Sequence, residues 1–203
     1  SVFANYMTQN TVGRNSSGYT GDNITGWFRQ WWATNADLQS LKEVFENSGG
    51  KNISWLMADP ANGNTAPKTM DNPYFTRYKN YQSDERNRFI GYGQLDYKLT
   101  DWLLASGKVS IDSYSELREE RKATGSINGS FGISRANVPS GYQKYVGMFS
   151  EQNYQFILTF NKKIAEDFSV NALAGVNALR TKSNSTLAST DGGLIIPGIY
   201  ALS

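Results

Sequence analysis

The sequence predicts an all-β chain: an antiparallel transmembrane β-barrel segment with long extracellular loops and one short loop helix near 36–47. Three observations point there. Two long hairpins alternate apolar and polar residues with period two, which gives each an apolar and a hydrophilic face. Aromatic residues flank the short turn of each hairpin. Short turns also alternate with polar connections of 15 or more residues, which are unusual in a compact soluble sheet and ordinary in outer-membrane barrels.

The elements follow in chain order. Residues 1–8 read as the end of a strand, with Val2, Ala4 and Tyr6 against Phe3, Asn5 and Met7. Residues 9–26 are rich in Asn, Gly, Ser and Thr and read as a polar loop. After the aromatic patch Trp27, Phe28, Trp31 and Trp32 comes the helix, which Asn35 would cap. Leu38, Leu41, Val44 and Phe45 form its apolar face, and Gly49-Gly50 stops it. A short strand is expected at Ile53–Met57, then turn material over 58–72, then a strand carrying Tyr74, Thr76, Tyr78 and Tyr81.

The main hairpin runs from Arg86 to Arg121, turning at Thr100-Asp101. Odd positions from Phe89 to Leu99 and from Leu103 to Ile111 are apolar or small. Gln94, Asp96, Lys98, Ser106, Lys108, Asp112, Tyr114, Glu116 and Arg118 take the other face. A Gly/Ser segment, 124–141, leads to the second hairpin. There Val146, Met148, Tyr154, Phe156, Leu158 and Phe160, then Phe168, Val170, Ala172, Ala174, Val176 and Ala178, share the even face about a turn at 165–167. Residues 180–193 read as a polar tail. An apolar face this long must meet either a second sheet or lipid. Trp102 and Phe168 just beyond the turns, matched by Tyr97 and Phe160 just before them, form the kind of girdle an interface holds, which favours lipid.

Composition bounds the chemistry. The 203 residues carry a net charge of +2, too small to direct binding to nucleic acid. There is no Cys and no His, which removes thiolate chemistry and the commonest general base and metal ligand. No apolar run reaches the length of a transmembrane helix, and the start shows no signal-peptide pattern. Both ends read as cuts, so the chain is expected to be one partial barrel domain, 1–203, of a longer protein. No cofactor, metal or enzymatic activity is expected.

Several segments resemble a known family: Asn5-Tyr6-Met7-Thr8-Gln9-Asn10, Ile24-Thr25-Gly26-Trp27-Phe28-Arg29-Gln30-Trp31, Asp71-Asn72-Pro73-Tyr74-Phe75-Thr76-Arg77-Tyr78, Asp84-Glu85-Arg86-Asn87-Arg88, Tyr114-Ser115-Glu116-Leu117 and Asp191-Gly192-Gly193-Leu194. They look like barrel segments of the SusC/RagA family of TonB-linked outer-membrane transporters of the Bacteroidetes. The resemblance implies a large plugged barrel importing a glycan or peptide substrate. It also implies a SusD-like surface lipoprotein as partner, and coupling to TonB through a plug region that lies outside this chain.

Two sets of residues are candidate ligand or partner sites. Trp27, Arg29, Trp31 and Trp32 have the faces and charge of a sugar-stacking platform, although a loop core beneath the 36–47 helix explains them more simply. Arg77, Arg86, Arg88, Glu116, Arg118, Glu119, Glu120 and Arg121 collect at the loop end of the main hairpin. They suit a polar substrate in a lumen, and cross-strand ion pairing explains them more simply. Glu119-Glu120 and Asp84-Glu85 point to opposite faces and make a poor glycosidase pair. Asp191-Gly192-Gly193 and Asp59 lack Ca²⁺-loop spacing, and Gly125 to Gly132 matches no phosphate-binding loop.

Two functions follow: part of an outer-membrane nutrient importer, or a soluble β-sandwich or surface carbohydrate-binding module using Trp27, Trp31 and Trp32.

Overall fold

The computed structural model describes residues 1–202. Five long strands form one antiparallel sheet: β1 (Val2–Arg14), β4 (Gln82–Thr100), β5 (Leu103–Lys122), β8 (Gly141–Ala165) and β9 (Phe168–Ser189), in the order β1-β4-β5-β8-β9. The sheet is open; no closed barrel exists among the described residues. The connections hold three short helices, α1 (Ile24–Gln30), α2 (Leu38–Asn47) and α3 (Pro73–Lys79). They also hold two small ribbons, β2 (Met57–Asp59) with β3 (Asn64–Pro67) and β6 (Gly129–Phe131) with β7 (Ala136–Val138). None of these helices is long and apolar enough to cross a membrane.

The chain packs as two compact units. One comprises Ser1–Gln9, Arg86–Glu116 and Gly147–Ser185; the other comprises Asn10–Glu85, Leu117–Val146 and the residues from Thr186 onward.

The first unit is sheet alone. Both hairpins form where the alternation places them, and each turns through two residues, Asp101-Trp102 and Glu166-Asp167. Even positions of β4 and β5 share a face. Arg88 pairs with Asp112, Arg86 with Glu116, and the Lys108 ammonium lies over the Tyr92 ring at 4.4 Å. Tyr114 stacks on Phe149 of β8, and Phe3 of β1 stacks on Tyr92. The opposite face is apolar and uncovered: Leu95 is 73% exposed, Val109 51%, Phe156 46% and Val176 70%.

The second unit holds the core. Trp27, Leu41, Met70 and Phe75 are buried in it, together with an unusual number of polar side chains, among them Asn52, Ser54, Asp71, Asn72, Thr76, Asn80 and Ser126. Most of these polar groups bond to one another and to backbone, as buried polar groups usually do, while the Thr76 hydroxyl has no hydrogen-bond partner among the described residues. Asn52 Nδ2 donates to Asp71 Oδ1 (2.6 Å), and Asp71 Oδ1 also accepts from Ile127 N (2.8 Å). Asn80 Nδ2 donates to Ser126 Oγ (2.8 Å), and Asn80 Oδ1 accepts from Ala123 N (2.7 Å).

Several local expectations are corrected. Residues 74–79 form helix α3 and not a strand, because Asn72 caps Tyr74 N at 2.8 Å and Pro73 occupies the first helical position. That cap outweighs the short alternation of Tyr74, Thr76 and Tyr78. Asn35 does not cap α2. Asp37 does, accepting from Gln39 N and Ser40 N; the Ser40 hydroxyl, which donates to it at 2.6 Å, and then these backbone bonds hold its carboxyl below the usual range. Residues 24–30, placed partly in a loop, are helical because Asn23 accepts from Gly26 N. β1 continues to Arg14 and β9 to Ser189, so the polar stretches 9–14 and 180–189 are strand. The strand expected at Ile53–Met57 begins only at Met57.

Candidate functional site

The clearest concavity in the second unit is built by the loop before α1 and by α1 itself. Asn23 does three things there. Its Oδ1 caps the helix at Gly26 N (3.1 Å), its Nδ2 donates to Gly18 O (2.6 Å), and it accepts from Asn15 Nδ2 (3.4 Å). The loop is thereby folded back over the helix start. Trp27 anchors the underside: it is 4% exposed, and its indole nitrogen donates to Thr20 O (3.2 Å). The result is a cavity of about 540 Å³, lined among others by Tyr19, Thr20, Asn23, Trp27, Arg29 and Trp31.

The tryptophan set therefore divides. Trp32 does not line the cavity; it packs against Trp55 (4.6 Å between centroids) and Phe28 (4.7 Å), and Trp27 meets Trp55 edge-on at 6.3 Å. These rings are the loop core, and Trp55, read from sequence as part of a short strand, is its hub. Trp31 is 52% exposed and reaches the cavity together with Arg29, the basic residue in the last turn of α1. Flat aromatic faces, a guanidinium and amide groups in one recess are the means by which proteins hold hydroxyl-rich or peptide-like ligands. Gly18, Tyr19 and Asn23 also line the recess, outside the set that the sequence pattern singles out. The helix-cap pattern Asn23-Ile24-Thr25-Gly26 was the available signal.

Arg77, expected on a strand beside Arg86, stands instead in the last turn of α3, where its guanidinium donates to the Gly13 carbonyl. Gly13 has φ 77, a left-handed conformation at the end of β1 that Cβ-bearing residues disfavour, and the adjoining Arg14 pairs with Asp84 at 2.8 Å.

In the first unit the charged residues of β4 and β5 form cross-strand pairs. Arg88 is bidentate on Asp112, at 2.8 Å from Nε and 2.5 Å from Nη2, and Arg86 meets Glu116 at 3.1 Å. Glu116 is buried, while Arg86 also lies over the Tyr114 ring at 4.8 Å. Back in the second unit, the Arg118 guanidinium lies 5.3 Å from the Tyr145 ring centre. Glu119 accepts from the Tyr142 hydroxyl and from Arg121 (2.8 Å), and Arg121 itself faces the rings of Tyr81, Tyr142 and Tyr200. The Tyr142 hydroxyl bond holds the Glu119 carboxyl below its usual range, and burial pushes the Tyr142 hydroxyl up to about 12.

Two groups beneath the loops are perturbed by burial. The Asp71 carboxyl is pushed up to about 6, and the Lys122 ammonium is lowered while donating to Gly129 O at 3.3 Å. No family model and no curated protein matches this chain.

Proposed function

We propose that this chain is a barrel segment of an outer-membrane, TonB-dependent nutrient importer similar to the SusC/RagA transporters. In that role it works with a SusD-like lipoprotein and takes up an oligosaccharide or peptide. One observation carries the reading. On the uncovered face, apolar or small runs extend over Phe89–Leu99, Leu103–Ile111, Tyr154–Phe160 and Phe168–Ala178. Three of them are near the roughly ten residues that a tilted strand needs to cross hydrocarbon, and Tyr154–Phe160 is shorter.

Just beyond each run the same face carries polar residues: Asn87 on β4, Ser113 and Ser115 on β5, Ser150 and Gln152 on β8 before apolar Met148 and Val146, and Arg180 and Lys182 on β9. Each of the four strands thus passes from an apolar run to polar residues on one face, as a strand leaving lipid does. The connections agree with it. β4–β5 and β8–β9 are joined by two residues, while β1–β4 and β5–β8 are joined by long segments with their own helices and ribbons. In this reading the Tyr19–Arg29–Trp31 recess on the long loops meets substrate or lipoprotein.

The test is assembly in the outer membrane of the native protein. Leu95→Arg places a charge among lipid tails and is expected to cost about 2–4 kcal/mol near the midplane, enough to deplete the membrane fraction. Asp96→Leu, on the opposite face, is expected to assemble. The reverse pattern overturns the assignment of faces. Normal accumulation of both as soluble monomer instead overturns the barrel reading and favours a soluble module.

A further inference from the structure

We propose that the polar ledge above the apolar band on β8 and β9 is a binding site for the phosphate of a membrane lipid headgroup, with Arg180 and Lys182 as its cations. The inference rests on the barrel reading and adds a ligand to its outer wall. Arg180, Lys182, Ser150 and Gln152 line one recess of about 160 Å³. Ser150 and Lys182 are also shared with a wider groove of about 510 Å³ that crosses the sheet face past Met148, Ser113, Ser115, Phe89 and Tyr6. Both lie wholly within the first unit.

Three features specify the occupant. First, no Asp or Glu is among the described residues lining either recess, and neither Arg180 nor Lys182 forms an ion pair with a carboxylate among the described residues. This differs from the other side of the same strands, where Arg86 and Arg88 are paired with Glu116 and Asp112. Two adjacent cations with hydroxyl and amide donors beside them form an anion site, and Arg presents a fork matched to phosphate.

Second, the cations stand at the edge of the apolar run ending at Ala178, the height at which a bilayer holds its headgroups. Third, the groove floor is small: Ser113 and Ser115 lie between Phe89 and Met148, and below them a Cβ at Gly93 or Gly107 would meet nothing within 4 Å. That leaves an open channel for an acyl chain running down from the phosphate.

The experiment uses the full-length protein purified from its own membrane in a neutral detergent. It is incubated with mixed micelles of phosphatidylglycerol and phosphatidylcholine, and retained lipids are counted by native mass spectrometry. The expected result is preferential retention of phosphatidylglycerol. Retention should be weakened about tenfold or more in Arg180→Ala/Lys182→Ala, from about 1 kcal/mol per cation. It should be kept in the charge-conserving Arg180→Lys/Lys182→Arg and in a loop control, Lys51→Ala.

Equal retention of both lipids, or undiminished retention in the alanine pair, overturns the site while leaving the barrel reading intact. Displacement of the lipid by millimolar inorganic phosphate would show a free-anion site and overturn the lipid assignment. A wild-type protein absent from the membrane fraction would overturn both readings together.

Discussion

Asn52 donates to Asp71 across 2.6 Å, and both side chains are enclosed, at 9% and 1% exposure. The two lie 19 residues apart, with a ribbon and a turn between them. The same Asn52 amide nitrogen reaches Gly125 O (3.0 Å), and its oxygen accepts from Asn72 N (2.8 Å). One short polar side chain thus fastens three stretches of loop. The second unit is held by such bonds as much as by its few buried apolar residues, and its stability should depend on them.

Asp71 should make that stability depend on pH. Its carboxyl titrates near 6 in the fold and near 3.8 in an open chain, because burial disfavours its charge. Between those values the folded protein holds a proton that the unfolded chain has released. The stabilising contribution is therefore complete below about pH 4 and is lost as pH rises through 6. Thermal midpoints from pH 4 to 7 should fall for the native protein relative to Asp71→Asn, which has no such proton. Parallel profiles would remove the assignment.

Asn72 should be among the costliest positions to truncate. It is wholly buried, caps α3, and donates to the carbonyls of Leu41 (3.0 Å) and Ile53 (2.8 Å). Asn72→Ala removes the cap and leaves two buried acceptors without that donor, a loss of about 2–4 kcal/mol. Hydrogen exchange should report it as faster opening of α3 and of the 52–56 segment, with the β4–β5 hairpin unchanged.

Trp31 and Trp32 are neighbours in sequence and should behave in opposite ways. Trp32→Ala opens the ring cluster with Trp55 and should cost about 3 kcal/mol or more of stability. Trp31→Ala, at an exposed ring beside Arg29, should leave the melting profile unchanged and weaken capture on a glycan or peptide array. Loss of stability in both, with binding unchanged in both, would reduce the recess to loop packing.

Arg88 and Asp112 make a bidentate pair at partly exposed positions, 38% and 29% exposed. A double-mutant cycle with Arg88→Met and Asp112→Leu should give a small favourable coupling that shrinks in high salt, given solvent screening. A coupling that is large and salt-independent would mean that the pair is sealed from water.

The alternating stretches of the sheet were readable from the chain alone, while its polar ends, 9–14 of β1 and 180–189 of β9, were not. Alternation along β4, β5, β8 and β9 is local: each side chain's face follows from its neighbour's, so Leu95 and Asp96 are assigned without knowing any partner strand. The sharp turns and the α2 stop at Gly49-Gly50 are equally local. The second unit was not readable in this way. Whether Pro73–Lys79 is helix or strand, whether Trp27 faces solvent, and why Asn52, Asp71 and Asn80 are buried all depend on groups 19 to 46 residues away and on a cap that competes with a weak alternation. Polar side chains carry no sign in sequence of whether water or another side chain will satisfy them. That choice belongs to the tertiary structure, which places Asn72 at zero exposure and leaves Trp31 at the mouth of a recess.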